Sequence, residues 1–365
     1  MSLTKLRRLG FKDEILQYLN KANILTCKDL LSRSQLELLH HVGLGNQTVK
    51  ETIRRACHEV APVPTNALQM WKDHKDHSGF FKTSLPGLDK VLHGGIPLGS
   101  ITEIAGPSGC GKTQFCLLLS TLATLPTQMG GLGGCVLYLD TESTFSAERL
   151  VEIAESRHRS YFTEPRLVEL TESVYVSQVQ TSSELLSRLE NLEADIIRLK
   201  VKLVVIDSIA SLIRKEFDSR VNRSMVDRTK LLLREATILK YLAETFSIPV
   251  IVTNQITTYF GTIGQTHETD DVVSLEGSQD YVTAALGNTW SHSVNTRLIL
   301  QYHRGNQRQL LVAKSPAAPF TVFTYTIQPQ GLVQEEFGAD HYEGTDPGIQ
   351  RIKVRSALQI KGLQL

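Results

Sequence analysis

Hydrophobic positions divide the chain into a helical N-terminal part and a longer part in which strand-like and helix-like runs alternate. Up to about residue 60, leucine and isoleucine recur at helical spacing between short polar turns. Pro62 and Pro64 then interrupt this pattern, because proline cannot continue a helix. We therefore predict a small all-α domain over 1–60 and a linker over 61–80.

Beyond the linker, short apolar runs typical of strands alternate with amphipathic segments typical of helices. The predicted strands are 100–104, 135–140, 174–177, 203–207 and 249–254. The predicted helices are 112–125, 146–157, 183–200 and 225–246. This alternation indicates an α/β fold with a mainly parallel β-sheet flanked by helices. Shorter β-rich segments follow, so we predict a core over 81–333 and a poorly patterned C-terminal tail over 334–365.

Composition places the chain among ordinary globular proteins. Hydrophobic residues make up 41% and charged residues 21% of its 365 residues, enough to bury a sizeable core. The net charge of +1 excludes a uniformly basic nucleic-acid binder, so any DNA site must be a local patch. The five cysteines form no C-x-x-C pair, which argues against a zinc site and fits a reducing compartment. Since no signal-peptide core and no uncharged apolar stretch of about 18 residues occurs, we expect a nuclear or cytosolic protein without membrane contact.

One segment matches the phosphate-binding pattern G-x-x-x-x-G-K-[ST]. It comprises Gly106, Pro107, Ser108, Gly109, Cys110, Gly111, Lys112 and Thr113. The glycines let successive backbone N–H groups turn toward phosphate oxygens, Lys112 reaches the outer phosphates, and the Thr113 hydroxyl ligates Mg²⁺. A predicted strand precedes the segment and a predicted helix follows it. We therefore predict a site for ATP and Mg²⁺; the alternative is an ordinary glycine-rich turn.

Three predicted strands end in polar residues at the edge where open α/β sheets bind ligands. Asp207 closes a buried strand, and a carboxylate there can hold Mg²⁺. Glu142 is our candidate for the base that accepts a proton from water during ATP cleavage. Asp140, just before it, is either a loop cap or an outer ligand of the metal. The amide of Gln255 can contact the γ-phosphate and report hydrolysis; an ordinary strand end is the alternative.

With these strand ends in view, the chain resembles the eukaryotic RecA-type recombinase family over roughly 13–316. The blocks that carry the resemblance are GGIPLGSITEIAGPSGCGKTQ, LYLDTESTFSAERL, LVVIDSIASLIR, IVTNQI, and HRGNQR with the KSP after it. The departures resemble the B-type paralogue rather than the main strand-exchange enzyme. The family places that branch with sister paralogues in a four-subunit recombination-mediator complex. The resemblance implies a RecA-type P-loop ATPase core whose ATP site lies at a subunit boundary.

The resemblance also carries roles onto single residues. The catalytic and metal positions that match the family are Lys112, Thr113, Asp207, Glu142 and Gln255, in the roles given above. The purine-stacking role falls on Arg149, where a guanidinium can stack over a flat base. An arginine on a helix surface is the alternative.

In the family, two loops after the nucleotide sheet line the DNA axis. The first corresponds to 214–230, whose basic residues are Arg214, Lys215, Arg220, Arg223, Arg228 and Lys230. Clustered arginines suit phosphate contact, while a solvated helix face is the alternative. The second loop, 257–286, carries five acids and no lysine or arginine, and negative charge there opposes DNA. We expect that loop to make an auxiliary DNA contact or to meet a protein.

Further candidate contacts lie near the N-terminus and near residue 314. ELLHHVGLGNQTVKETIRRA resembles a helix-hairpin-helix, in which Gly43 and Gly45 would present N–H groups to DNA phosphates; an ordinary helical turn is the alternative. The family's subunit-docking anchor has an aromatic residue and an alanine. Ala67 matches the alanine, but Pro64 stands at the aromatic position, so a hetero-oligomer is expected rather than a long homofilament.

Lys314 stands where the main recombinases carry an acid that lies over the neighbour's ATP. Its ammonium could neutralise the triphosphate in trans, or the lysine is exposed and uninvolved.

Together with these patterns, the resemblance implies a slow, DNA-stimulated ATPase subunit that promotes homologous recombination and DNA double-strand break repair in the nucleus. The expected partners are single-stranded or branched DNA and sister paralogues. The main alternative is a scaffold that binds ATP and recruits recombination partners without needing turnover. A hexameric helicase and a small-molecule P-loop kinase are further alternatives, but no motor apparatus, lid or acceptor site is visible in the sequence.

Overall fold

The chain consists of two compact units, which are Met1–His77 and Ser78–Leu365. The computed structural model describes residues 6–42, 45–61, 64–76, 79–217, 225–259, 281–284, 286–303 and 305–335. Among these residues, no helix combines the length and apolar character that a membrane crossing requires.

The N-terminal unit is a small helical domain with its own apolar core. Its elements are a short 3-10 helix (Leu6–Leu9), α1 (Asp13–Lys21), α2 (Cys27–Leu31), α3 (Gln35–Val42), α4 (Asn46–Val60) and α5 (Ala67–Asp76). A capping box between Thr26 and Asp29 fixes the start of α2. Leu19, Ile24 and Leu30 are buried in the core. The predicted linker therefore contains a helix, α5, because the prolines end α4 but helix-compatible residues follow them.

The C-terminal unit alternates helices and strands. Its α-helices are α6 (Pro86–Val91), α7 (Lys112–Thr124), α8 (Ala147–Arg157), α9 (Glu164–Ser173), α10 (Ser182–Glu190), α11 (Leu192–Leu199), α12 (Ile209–Phe217), α13 (Met225–Phe246) and α14 (Gly287–Ser293). Its strands are β1 (Phe80–Phe81), β2 (Ile96–Pro97), β3 (Ile101–Gly106), β4 (Cys135–Asp140), β5 (Val174–Gln178), β6 (Val201–Asp207), β7 (Val250–Tyr259), β8 (Tyr281–Ala284), β9 (Thr296–Tyr302), β10 (Arg308–Lys314), β11 (Thr321–Gln328) and β12 (Gly331–Gln334). A short 3-10 helix, Thr127–Met129, follows α7.

Within the described residues, ten strands form one large sheet and β1 pairs with β2 apart from it. The order along the large sheet is β12-β11-β10-β9-β3-β7-β6-β4-β5, with β8 paired to β7. The strands from β9 to β5 run parallel, and β9 to β12 form an antiparallel extension. Because β3, β7, β6 and β4 are neighbours, the residues after their carboxyl ends meet at one edge. The predicted α/β core and the predicted helical N-terminal domain are both confirmed.

The two faces of the large sheet bury separate apolar clusters, because side chains alternate along each strand. On β4, Val136 and Tyr138 join the cluster covered by α7, α8 and α9. Leu137 and Leu139 join the cluster covered by α10, α11, α12 and α13. Helices therefore flank both faces, which explains why the central strands are almost continuous apolar runs.

The predicted helix 183–200 is wrong in one respect, since the structure has two helices there. Asn191 ends α10 and precedes α11, with φ −97° and ψ −2°. Its side-chain Nδ2 donates to the carbonyl of Ser187 at 2.8 Å. Leu189 and Leu192 are both buried on the two sides of the break. Because the apolar spacing continues across Asn191, the periodicity alone did not reveal it.

One buried carboxyl group lies on α13 itself. Glu235 is fully buried, and neither of its side-chain oxygens has a hydrogen-bond partner in the part of the chain that the structure describes. Burial, and secondarily the charge of Glu216, raises the pKa of Glu235 to about 8. The group is therefore protonated at neutral pH in the folded chain.

We predict that Glu235→Gln stabilises the full chain, and that its advantage grows as the pH rises from about 5 to about 8. Over this window the unfolded carboxyl is ionised while the folded one keeps its proton, so the native chain loses stability and the glutamine chain does not. The expected gain in thermal midpoint near the upper pH is on the order of a few degrees. Thermal unfolding across this pH range measures it, with the exposed Glu172→Gln as control. An advantage that is independent of pH contradicts the prediction.

Candidate nucleotide site

The predicted phosphate loop connects β3 to α7 in a conformation that requires glycine. Gly109 and Gly111 have φ values of 78° and 101°, in the left-handed region that side chains with a Cβ rarely adopt. A Cβ added to Gly106 would lie 2.5 Å from the carbonyl oxygen of Leu300. Helix α7 begins at Lys112, so its positive N-terminal end adjoins the loop. The loop thus fits the phosphates of a nucleotide.

Lys112 folds back onto its own loop. Its Nζ donates to the carbonyl oxygens of Gly106 at 2.9 Å and Pro107 at 3.0 Å. Burial lowers the pKa of the Lys112 ammonium, and the charge of Asp207 opposes that shift. The two carbonyls are weaker partners for an ammonium than phosphate oxygens, so a bound triphosphate would replace them.

The two predicted metal ligands are in direct contact. The Thr113 hydroxyl donates to Asp207 Oδ2 at 2.7 Å. The same carboxylate also accepts from the Tyr138 hydroxyl at 2.7 Å and from Thr253 Oγ1 at 2.6 Å. A hydroxyl and a carboxylate oxygen side by side suit Mg²⁺, which prefers oxygen ligands and is often completed by phosphates and water. Tyr138 and Thr253 could not be predicted from the sequence, because neither residue type marks a site without its neighbours.

The predicted base and the predicted sensor also meet. Glu142 Oε1 accepts from Gln255 Nε2 at 2.8 Å and from Ser208 Oγ at 2.6 Å. Gln255 Oε1 in turn accepts from Arg214 Nη1 at 2.5 Å. Glu142 is exposed, so water can reach its carboxylate. A hydrogen-bond chain therefore links the candidate base, through the candidate sensor, to the first basic residue of the candidate DNA loop.

Asp140 is a loop cap, one of its two predicted roles. Its carboxylate accepts from the backbone N–H groups of Glu142 at 3.2 Å, Thr144 at 3.2 Å and Phe145 at 3.0 Å. These bonds shape the turn that carries Glu142 away from the end of β4. Asp140 therefore acts on the site through the backbone of Glu142.

Arg149 is fully engaged within the chain. Its Nε donates to Gln114 Oε1 at 2.7 Å, and its Nη1 contacts Glu152 Oε2 at 2.5 Å. Its Nη1 and Nη2 also donate to the carbonyls of Pro329 at 3.0 Å and Gln328 at 2.6 Å. These bonds hold the edge of the guanidinium, so stacking of its face on a purine stays a prediction.

A second arginine on α8 binds the hairpin of β11 and β12, which Arg149 also contacts. Arg157 Nη1 donates to the carbonyls of Gln330 at 2.8 Å and Leu332 at 3.0 Å. Its Nη2 donates to the carbonyl of Ser84 at 2.8 Å. The hydrogen bonds from α8 to the hairpin of β11 and β12 that the structure describes therefore all go to backbone carbonyls.

Cys110 contributes its backbone rather than its thiol to the loop. The side chain is fully buried, and burial raises the pKa of the Cys110 thiol to about 12. A neutral thiol is a poor nucleophile, so the position reads as a small residue in a tight turn.

A buried charged network that the sequence analysis missed lies under the nucleotide loop. Glu103, fully buried on β3, accepts from Asn254 Nδ2 at 2.6 Å and Trp290 Nε1 at 3.0 Å. It also accepts from Arg297 Nε, its neighbour in register on β9. The network joins β3, β7, α14 and β9. A single acid inside the apolar strand ITEIAG was the available signal, since a buried charge needs partners.

The candidate DNA residues are only partly described. Arg214 and Lys215 are exposed at the end of α12, and Arg228 is half-buried on α13. Arg220, Arg223 and Gly43 lie outside the described residues, as does most of the loop 257–286. Gly45 precedes α4 with φ −61° and open space around it, so its conformation does not require glycine.

The candidate docking residues differ in their surroundings. Pro64 and Ala67 are exposed, and Ala67 begins α5. Lys314 Nζ donates to the carbonyls of Ser291 at 2.8 Å and Val294 at 2.6 Å, at the C-terminal end of α14. Burial lowers the pKa of Lys314. Lys314 is therefore half-buried and bonded within the chain rather than exposed, and its contact with a neighbour's triphosphate stays a prediction.

Known proteins share both units of the chain. Residues 80–335 match the Rad51 family, and residues 6–60 match the XRCC3/RpoA-like helix-hairpin-helix domain. The chain is 50% identical over 346 residues to DNA repair protein RAD51 homolog 2 of Homo sapiens, covering 92% of this chain and 90% of that protein. Its identity to the Arabidopsis thaliana protein of the same name is 32% over 359 residues, covering 95% and 94%.

A meiotic relative is similar over almost the same span. Meiotic recombination protein DMC1 of Saccharomyces cerevisiae is 30% identical over 332 residues, covering 91% of this chain and 94% of that protein. The match to the Rad51 family includes the phosphate loop and all the strand ends described above. The chain therefore belongs to the Rad51 family, with a helix-hairpin-helix domain before its ATPase-type core.

Proposed function

We propose that the chain is a slow, DNA-stimulated ATPase subunit of a recombinase-paralogue complex that promotes homologous recombination and double-strand break repair in the nucleus. The observation that carries the proposal is the meeting of Thr113 with Asp207 and of Glu142 with Gln255 at one edge of the sheet, beside Lys112. Members of the Rad51 family are generally ATPases, and the similarity to RAD51 homolog 2 supports a B-type paralogue acting in repair.

The site residues divide the work between binding and cleavage. The loop amides and Lys112 would bind the triphosphate, while Thr113 and Asp207 would hold Mg²⁺, which supplies charge neutralisation at the phosphates. The exposed Glu142 carboxylate would accept a proton from the attacking water. Gln255 holds that carboxylate and would change partners when the γ-phosphate is lost. Such a cycle suits regulated assembly rather than fast turnover.

Two substitutions separate binding from cleavage. We predict that Lys112→Ala weakens ATP–Mg²⁺ binding by at least about 100-fold, because an ammonium beside the phosphates is lost. Glu142→Gln keeps binding but slows hydrolysis by roughly 100-fold, since the amide cannot accept the proton. Calorimetry and phosphate release, with the sister paralogues present, measure the two effects, and Glu172→Gln serves as control.

The outcomes also separate the two candidate functions. Unchanged hydrolysis by the Glu142→Gln chain contradicts the assignment of the base. If that chain loses hydrolysis yet assembles its complex and supports repair fully, the scaffold function is favoured. If the native chain binds no ATP in its complex, the ATPase function and the scaffold function are both contradicted.

DNA contact is proposed at the end of α12. Arg214 and Lys215 are exposed there, and Arg214 also donates to Gln255. A DNA phosphate that draws the Arg214 guanidinium away would release Gln255 Oε1 and thereby alter the hydrogen bond to Glu142. DNA binding and ATP cleavage would be coupled through this one arginine. Arg220, Arg223, Arg228, Gly43 and Gly45 stay candidate DNA contacts.

We predict that Arg214→Ala and Lys215→Ala each weaken binding to single-stranded DNA and reduce the salt dependence by about one counterion. Only Arg214→Ala is expected to abolish the stimulation of ATP hydrolysis by saturating DNA, because Lys215 has no bond to Gln255 among the contacts described. Fluorescence anisotropy over a salt series and phosphate release give the two readouts. Equal stimulation in both variants rejects the coupling role.

Partner contact is proposed at the docking segment and at Lys314. Pro64 and Ala67 are exposed and available to a neighbouring subunit. Proline supplies less apolar surface than an aromatic anchor, so docking of one copy on another would be weak. Lys314 would reach a neighbour's triphosphate only after its ammonium leaves the carbonyls at the end of α14.

We predict that the purified chain with ATP and Mg²⁺ forms no long homofilaments, and that Pro64→Phe increases its self-association. Thr65→Phe, which places the same ring one position away, is the matched control. Sedimentation velocity measures the size distribution. Filaments of the native chain are the result that contradicts this view.

A further inference from the structure

Side chains from the antiparallel part of the sheet hold the outside of the phosphate loop. The Tyr302 hydroxyl, at the end of β9, donates to the carbonyl of Ser108 at 3.1 Å. The Tyr325 hydroxyl, on β11, donates to the carbonyl of Cys110 at 2.6 Å. Ile327 packs over Gly111, where an added Cβ would lie 2.7 Å from its Cδ1 atom. Neither tyrosine belongs to the phosphate-binding motif.

The two tyrosine hydrogen bonds to the Ser108 and Cys110 carbonyls also fix the orientation of the next two backbone N–H groups, those of Gly109 and Gly111. A peptide group is planar and trans, so its N–H points opposite to its C=O. The Ser108 carbonyl shares its peptide group with the Gly109 N–H, and the Cys110 carbonyl shares its peptide group with the Gly111 N–H. A carbonyl tied outward to a tyrosine therefore turns the following N–H inward, where a phosphate oxygen would lie.

The two amides belong to the residues of the loop that most need such control. Gly109 and Gly111 both adopt left-handed φ values, and glycine has the largest conformational freedom to lose. Ordering these residues before the ligand arrives removes part of the entropic cost of binding. Hydroxyls anchored on strands supply that order.

The tyrosines are themselves well fixed. Tyr325 is almost completely buried. Arg308 pairs in register with Tyr302 on one side and Tyr325 on the other. Its guanidinium carbon lies 5.6 Å from the centre of the Tyr302 ring. Burial raises the pKa of both phenols, so both hydroxyls keep the proton that they donate.

We propose that Tyr302 and Tyr325 are positioning residues that orient the Gly109 and Gly111 amides toward the phosphates of ATP. The proposal rests on the proposed function, since it assumes that the loop binds ATP. It assigns nucleotide affinity to residues far along the chain from the motif. A purely structural role for the hydroxyls would change the stability of the chain and leave nucleotide affinity unaltered.

The test compares Tyr302→Phe, Tyr325→Phe and the double variant of the full chain with the native protein. Each single variant is expected to bind ATP–Mg²⁺ about 3- to 10-fold more weakly, as the loss of one hydrogen bond to the loop implies. Hydrogen exchange of the segment 106–113 in the free chain is expected to become faster in each variant. Calorimetry measures the affinity, and exchange mass spectrometry measures the hydrogen exchange. Because the Tyr302 side chain is only half-buried, Tyr302→Phe keeps the test valid even if Tyr325→Phe does not fold.

The control is Tyr161→Phe. It removes a hydroxyl that accepts a 2.6 Å hydrogen bond from Arg166 Nη1 and has no hydrogen bond to the phosphate loop among those described. It is expected to change neither ATP affinity nor exchange in the loop. Phenylalanine variants that bind ATP as the native chain does, whatever their thermal midpoint, overturn the proposal. A native chain that gives no heat with ATP refutes the proposed function instead. In that case unchanged exchange of the loop in the free variants still overturns the positioning role.

Discussion

The buried carboxylate of Asp207 is the interaction on which the site depends. It accepts hydroxyl hydrogens from Tyr138 on β4, Thr113 on α7 and Thr253 on β7, and so ties three elements to the end of β6. A carboxylate that is only 3% exposed needs such partners, because water cannot solvate it. If Thr113 turned toward a bound metal, the hydroxyls of Tyr138 and Thr253 would still hold Asp207 in place. The nucleotide loop and the metal position thus share one anchor.

The residues that could be predicted from the sequence are those that belong to a recognisable motif or follow directly after a strand. Lys112, Thr113 and Asp207 were singled out this way, and so were Glu142 and Gln255 as separate candidates. Their mutual hydrogen bond was not predicted, although parallel strands bring their carboxyl ends together. Residues whose roles arise only from packing could not be predicted. Tyr138, Glu103 and the tyrosines around the loop come from strands that no local pattern connects. The break at Asn191 was hidden because the apolar spacing continues across it.

The structure also connects the nucleotide loop to distant parts of the sheet. Glu103 lies on the strand that leads into the loop and joins Asn254, which directly precedes Gln255, to Trp290 on α14. The buried Glu103 carboxylate tolerates few alternative arrangements, because the loss of a partner would leave its charge poorly compensated. Strand β7 and helix α14 are therefore held together through Glu103.

The hydrogen bonds from α8 to the hairpin of β11 and β12 have a consequence for which substitutions the hairpin tolerates. Arg149 and Arg157 bind the carbonyls of Gln328, Pro329 and Gln330, so they recognise the path of the main chain and not the identity of its side chains. Every amino acid offers the same carbonyl. These hydrogen bonds therefore set no requirement on the side chains of Gln328, Pro329 and Gln330, whereas Gly331, with φ 86°, adopts a conformation that favours glycine.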